Sequence, residues 1–268
     1  MKRVIVYTIL LLASVVAKAQ EPASAEPTTV ESTTVAPTSA ERWEAGNKAY
    51  SAREYGKAIA EYKAILDGGE YSVELYYNLA NAYFKADSVG KAILYYNKAL
   101  RVDPSQEDVL HNLAFAEART KDKVAEMPEF FFGRWMRSLR NAMSCMAWSV
   151  LSLVSFGVLL AFVVLFLLAS SIRMRKVGFF GALCALLFAI TTTAFALSSR
   201  RDMLSHDEAI VMASAISIKS SPDRSATDLF VLHEGTKVRI VSVVDDWFEV
   251  ALVDGKKGWI EKRNVEEI

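Results

Sequence analysis

The chain has 268 residues, 31 basic and 31 acidic side chains, and a formal net charge of zero. Without a basic excess it lacks the electrostatic footprint of a nucleic-acid binder, so no nucleic-acid partner is expected. Both cysteines, Cys145 and Cys184, fall in or beside long apolar runs, so the polar segments must fold without disulfides and cannot run thiol chemistry. The chain opens with a short basic stretch, Met1-Lys2-Arg3, then a 13-residue apolar core, Val4–Val16, then the small-x-small sequence Ala17-Lys18-Ala19. This pattern predicts a secretory signal peptide over residues 1–19, because its core is too short for a comfortable span. The polar segments are therefore expected on the exported side. Residues 20–40 contain only Pro, Ser, Thr, Ala, Val, Glu and Gln, the composition of a disordered linker.

Over residues 41–126 the chain resembles itself at an offset of 34. Gly46, Ala80 and Ala114 stand in register, as do Asn47 with Asn81, Tyr50 with Phe84, Ala58 with Ala92, and Tyr62 with Tyr96. The second unit is the fullest, with Leu79-Ala80-Asn81-Ala82-Tyr83, Lys91-Ala92-Ile93 and Tyr96-Asn97-Lys98-Ala99-Leu100 before Asp103-Pro104. This period and these residues resemble the tetratricopeptide repeat, which implies about two and a half helix pairs in an all-α solenoid. The half repeat at the end, with Glu117, Arg119, Lys121 and Asp122, reads as a solvating cap. The first helix of each pair lines the concave face in such a stack. A peptide-binding groove is therefore expected from Trp43, Asn47, Tyr50, Tyr77, Asn78, Asn81, Phe84, Lys85 and His111. Amides suit a peptide backbone, and aromatic rings cover apolar side chains. One tetratricopeptide subclass clamps a carboxylate with two asparagines similar to Asn47 and Asn78. The positions of its basic partners hold Trp43, Asp108 and Asn112, so that clamp is incomplete here.

Residues 127–146 read as an interfacial linker. Phe130-Phe131-Phe132-Gly133-Arg134-Trp135 suits a membrane-surface belt, or alternatively a contact with the end of the repeat stack. Ala147–Ile172 and Val177–Leu197 are uncharged and long enough to span a bilayer as helices. At ~1.5 Å per residue they measure roughly 39 and 31 Å. Residues 173–176, Arg-Met-Arg-Lys, form the expected cytoplasmic loop. Four residues cannot recross the membrane, so both polar flanks lie on one side. Gly157 and Ala161 on one helix and Gly181, Ala185 and Ala189 on the other are expected to meet, since small residues let helices approach closely. Neither span carries an Asp, Glu, Lys, Arg or His, which argues against a transporter.

After a linker at residues 198–207, the apolar period changes to two. Ala209–Met212, Ile216–Lys219, Phe230–Leu232, Lys237–Val243, Trp247–Leu252 and Gly258–Ile260 read as short strands, with Asp254-Gly255 as a hairpin turn. The segments Ile216–Pro222, Glu234–Val238, Trp247-Phe248-Glu249-Val250 and Asp254–Ile260 resemble the bacterial SH3 family, which implies an all-β SH3-like barrel over residues 208–268. Phe248, Val250 and Leu252 alternate inward, leaving Trp247, and with it Trp259, as expected ligand contacts.

The fold class is thus a multidomain membrane protein: an all-α tetratricopeptide solenoid, a two-helix transmembrane hairpin and an all-β SH3-like barrel. The histidines are isolated and no metal, phosphate-loop or nucleophile motif occurs, so no enzyme activity, cofactor or metal is expected. In this order the parts resemble the BatE-type proteins of the Bacteroides aerotolerance operon. That resemblance implies a scaffold at the bacterial inner membrane, with both soluble parts in the periplasm. Its implied partners are von Willebrand factor A-domain membrane proteins working with a MoxR-type ATPase, and its implied role is in aerotolerance or oxidative stress. A peptidoglycan-binding envelope sensor is the other reading.

Overall fold

The computed structural model describes residues 37–123, 130–205 and 207–268. The expected signal peptide and nearly all of the expected linker lie outside these residues. Five helices come first: α1 (Ser39–Ser51), α2 (Tyr55–Asp67), α3 (Val73–Lys85), α4 (Val89–Val102) and α5 (Glu107–Glu117). Local chemistry fixes their starts. Thr38 and Glu41 form a reciprocal capping box at α1, and the Ser72 hydroxyl accepts the Leu75 N–H at α3. Between α2 and α3, Gly69 adopts a φ of +85°, a conformation that costs a side-chain-bearing residue. The pairs α1/α2 and α3/α4 pack through fully buried Ala58, Ala80, Ala82, Ala92 and Ala99, with Tyr62 and Tyr96 filling the space between helices. A Cβ at Gly46 would strike the Tyr62 ring at 2.6 Å, so the small position of each repeat makes room for the large one.

Next come α6 (Phe131–Asn141), α7 (Cys145–Leu168) and α8 (Ile172–Leu204). The last two are long and apolar enough to cross a membrane, and they pack against each other along their length. Their connection differs from expectation. The chain turns at residues 169–171, where the Ala169 N–H still donates to the Leu165 carbonyl, and Arg173, Arg175 and Lys176 begin α8. Serines make the turn, whereas Arg, Met and Lys favour helix. The Arg175 guanidinium lies 5.8 Å over the Phe166 ring, closing the hairpin end. At its other end α8 runs on to Leu204, so most of the expected 198–207 linker is helix. The 127–146 segment likewise holds an 11-residue helix, α6.

The expected packing of small residues against small is corrected. Gly157 and Ala161 are exposed and turn away from α8. Gly181, Ala185 and Ala189 lie on the shielded side of α8, but Gly181 meets a large residue. A Cβ at Gly181 would lie 2.5 Å from the Phe162 ring, and one at Gly178 would lie 2.6 Å from the Phe166 backbone nitrogen. Nearer the other end, Ser152 bonds Thr193 at 2.7 Å and Ser155 bonds Thr192 at 3.2 Å. A stripe of small residues on one helix makes a recess. What fills it is set by the facing residues, here aromatic rings.

The remainder is one antiparallel sheet: β1 (Glu208–Val211), β2 (Ile216–Lys219), β3 (Asp228–Leu232), β4 (Lys237–Val244), β5 (Trp247–Ala251), β6 (Lys257–Glu261) and β7 (Val265–Glu267). The order β3-β2-β6-β5-β4-β1-β7 is open, with β3 and β7 at its edges. Phe248, Val250 and Leu252 are buried with Ile218, Val238 and Ile260. The sequence did not reveal β7, whose three residues include two glutamates, yet it pairs with β1.

Residues 38–268 form one compact unit, and the repeats and the sheet share a core. Ile210 and Ile268 of the sheet are buried in the apolar cluster of the repeats, with Met212 packed beside them.

Candidate binding surfaces

The first-helix side of the repeats carries a hydrogen-bonded ladder that recurs every 34 residues. The Tyr62 hydroxyl donates to Asn47 Oδ1 at 2.7 Å, and the Asn78 amide donates to the same oxygen at 3.4 Å. One repeat later, Tyr96 donates to Asn81 Oδ1 at 2.6 Å, and Asn112 donates to it at 3.0 Å. Asn112 also reaches the Tyr77 hydroxyl at 3.0 Å. Burial, followed by repulsion from Tyr50, pushes the Tyr62 phenol up to about 12, and the Tyr96 phenol is raised mainly by burial too. Both hydroxyls therefore stay protonated as donors. Asn47 and Asn81 thus spend their carbonyls joining one helix pair to the next.

The other expected groove residues divide by exposure. Trp43 and Tyr77 are half-buried against Tyr62 and Tyr96, with ring centroids 5.7 and 6.2 Å apart. Tyr50 packs edge-on to Tyr55, while Lys85 and His111 are exposed. Phe84 packs edge-on to Phe115 at 6.0 Å, beneath the Arg119 guanidinium at 5.1 Å, and Arg119 pairs with Asp87. Phe115 is 63% exposed and was missed. It stands 34 residues after Asn81, so the same offset pointed to it, but the change from amide to ring hid it.

On the sheet, Trp247 sits opposite Glu261 and Trp259 opposite Glu249, which makes the two tryptophans diagonal neighbours on one half-buried face. A shallow cleft beside Trp247 is lined by Pro222, Asp223, Arg224, Asp246 and Glu261. Hydrogen bonding from Arg224, at 2.7 Å, is the main cause that holds the Glu261 carboxyl below the usual range, and Arg263 adds a second contact at 2.6 Å. The cleft is an aromatic floor with a charged rim.

The joint between repeats and sheet overturns the reading of Asp122 as a solvated cap residue. Its carboxylate accepts the His233 N–H at 2.7 Å and the Thr236 hydroxyl at 2.6 Å, and it meets His233 Nδ1 at 2.7 Å. Burial raises the Asp122 carboxyl, but the bonds from Thr236 and His233 outweigh it and leave it below the usual carboxylate range. Glu234 caps α4 from outside, accepting the Gly90 N–H at 2.9 Å, where Ser88 offers no side-chain cap. Lys237 donates to Asn97 at 3.2 Å, and Arg101 donates to the Ile268 carbonyl. The joint thus engages α4, the second helix of its pair, and the segment beyond α5, while Lys85, His111 and Phe115 stay exposed.

These features define a repeat-and-sheet binding protein. Residues 73–106 match the tetratricopeptide repeat family, and residues 214–266 match the bacterial SH3 domain family. Among curated proteins none matches the chain. Both matched families point to interaction with proteins or with peptidoglycan.

Proposed function

We propose that the protein is a membrane-anchored adaptor, without a catalytic step, that holds a partner's extended segment in the repeat groove. The observation that carries this is the asymmetry of α4 and its neighbours. The sheet is latched to α4 and to Asp122 beyond the end of α5, while Phe115, Lys85 and His111 on the first-helix side stay exposed. The hairpin α7/α8 holds this surface at a membrane, which the expected signal peptide makes the exported face of the bacterial inner membrane. The resemblance to BatE-type proteins supports von Willebrand factor A-domain membrane proteins as partners, with a MoxR-type ATPase and a role in envelope or oxidative stress. The cleft at Trp247 supports a second contact. Its aromatic floor and charged rim also suit a peptidoglycan stem, the alternative reading.

Recovery of partners from gently solubilised membranes tests this. Deleting residues 208–268 would strip Ile210 and Ile268 from the repeat core, so point variants are the sharper tools. Lys85→Ala with Phe115→Ala should abolish recovery of von Willebrand-type proteins, and Trp247→Ala should leave it largely intact. Undiminished recovery with the groove variant, together with loss of peptidoglycan binding in Trp247→Ala, would replace the adaptor reading with the wall-binding one.

A further inference from the structure

The helix α6 presents an exposed aromatic face and a basic one. Phe130, Phe131, Phe132, Trp135 and Leu139 are all exposed, Phe131 at 74%. Its 11 residues include Arg134, Arg137 and Arg140 and no acid. Its C-terminal end is anchored at the end of the hairpin away from the turn. The Trp148 indole N–H donates to the Arg140 carbonyl at 2.7 Å, and the Arg140 guanidinium pairs with Asp202 of α8 at 2.7 Å and donates to Ser198 at 2.9 Å. Met136 packs with Trp148 and Phe195. The helix is therefore held where the apolar surface of α7 and α8 gives way to polar residues, and its aromatic face continues that surface.

The polar side of α6 borders a cavity between the hairpin and the soluble parts. Arg137 and Arg140 line it with Lys237 and Arg239 of β4, and in all five basic and three acidic side chains surround it. Planar guanidinium groups match the oxygens of a phosphate diester, and a helix with three arginines and no acid beside an apolar surface suits an anionic lipid headgroup. The geometry points to α6 as a lipid-recognition element: its aromatic face lies in the headgroup layer, and the Arg134 and Arg137 guanidinium groups bind anionic phospholipid headgroups. This rests on the hairpin spanning a bilayer. A soluble phosphate ester shares the headgroup chemistry, so the test separates the two sources.

The full chain is placed in nanodiscs of phosphatidylcholine alone or with phosphatidylglycerol added, and amide exchange is followed across α6 and α7. Slow exchange in α7 in both discs verifies the span separately, and fast exchange there would refute the span itself. In phosphatidylglycerol discs α6 should exchange about tenfold more slowly than in phosphatidylcholine. Arg134→Gln with Arg137→Gln should erase that difference, while Phe131→Ala with Trp135→Ala should speed α6 exchange in both discs. Equal exchange in the two lipids would overturn headgroup recognition. So would equal protection by free glycerol phosphate in phosphatidylcholine discs, which would make the ligand a soluble anion.

Discussion

Two joints hold this molecule together, and they work by opposite means. Where the sheet meets the repeats, carboxylates reach across: Asp122 into the β3–β4 turn and Glu234 onto the start of α4, around the buried side chains of Ile210 and Ile268. Where α7 meets α8, no ion pair joins the two helices among the described residues, and Arg175 reaches across only to the face of the Phe166 ring. Phe162 and Phe166 fill recesses at Gly181 and Gly178, and paired hydroxyls satisfy one another. In water, directional bonds to a charged group can select one docking geometry while apolar burial supplies the driving force. Between helices in an apolar surround that driving force is absent, so shape carries the selection.

Substitutions can break each joint separately. Ile210→Ala should cost about 4 kcal/mol and lower the melting temperature of repeats and sheet together, because the residue belongs to the core of one while sitting in a strand of the other. Two separate calorimetric transitions in the wild-type protein would refute the shared core. Asp122→Ala should cost about 3 kcal/mol by leaving the His233 N–H and Thr236 hydroxyl unmet. The same latch has a pH signature. Its carboxyl is held low in the folded protein, so its contribution is complete above the unfolded value of about 3.9 and fades as acid titrates the folded group. Denaturant midpoints of wild type and Asp122→Ala should therefore converge in strong acid and separate near neutrality. For the second joint, Gly178→Ala should cost about 2 kcal/mol, because the new methyl meets backbone rather than a yielding side chain. Gly157→Ala, with open space around its Cβ, is the control and should leave the stability of the detergent-solubilised hairpin unchanged. The smallest effect belongs to the groove: Lys85→Ala should alter the melting temperature by no more than about 0.5 kcal/mol equivalent while weakening partner binding.

The repeats were legible because their period exceeds any single helix. An offset of 34 aligned Tyr62 with Tyr96 and Asn47 with Asn81, and those pairs form the ladder. The inner strands were legible from alternation, as Phe248, Val250 and Leu252 show. What escaped was everything decided by a distant partner. Ile210 reads as an ordinary strand residue, and no local pattern says that it serves the repeats. Asp122 sits among exposed charges in sequence and becomes an acceptor only when the β3–β4 turn arrives. In α7 the residues beyond Ser155 are apolar on every face, so periodicity there could not say whether Gly157 or Phe162 turns inward. The asparagines read as groove residues for their amides, but the bonds that tie up their carbonyls depend on tyrosines 15 residues away.

The length of α8 has a mechanical consequence. Its 33 residues run unbroken from the hairpin turn to Leu204, and only residues 205–207 separate it from β1. A rod of about 50 Å with so short a coupling has little slack. An axial shift or tilt of α8 would be delivered to β1, and Ile210 on that strand would carry it into the floor of the repeats. A displacement imposed on the hairpin would thus reach the repeats by leverage, through a strand that belongs to neither.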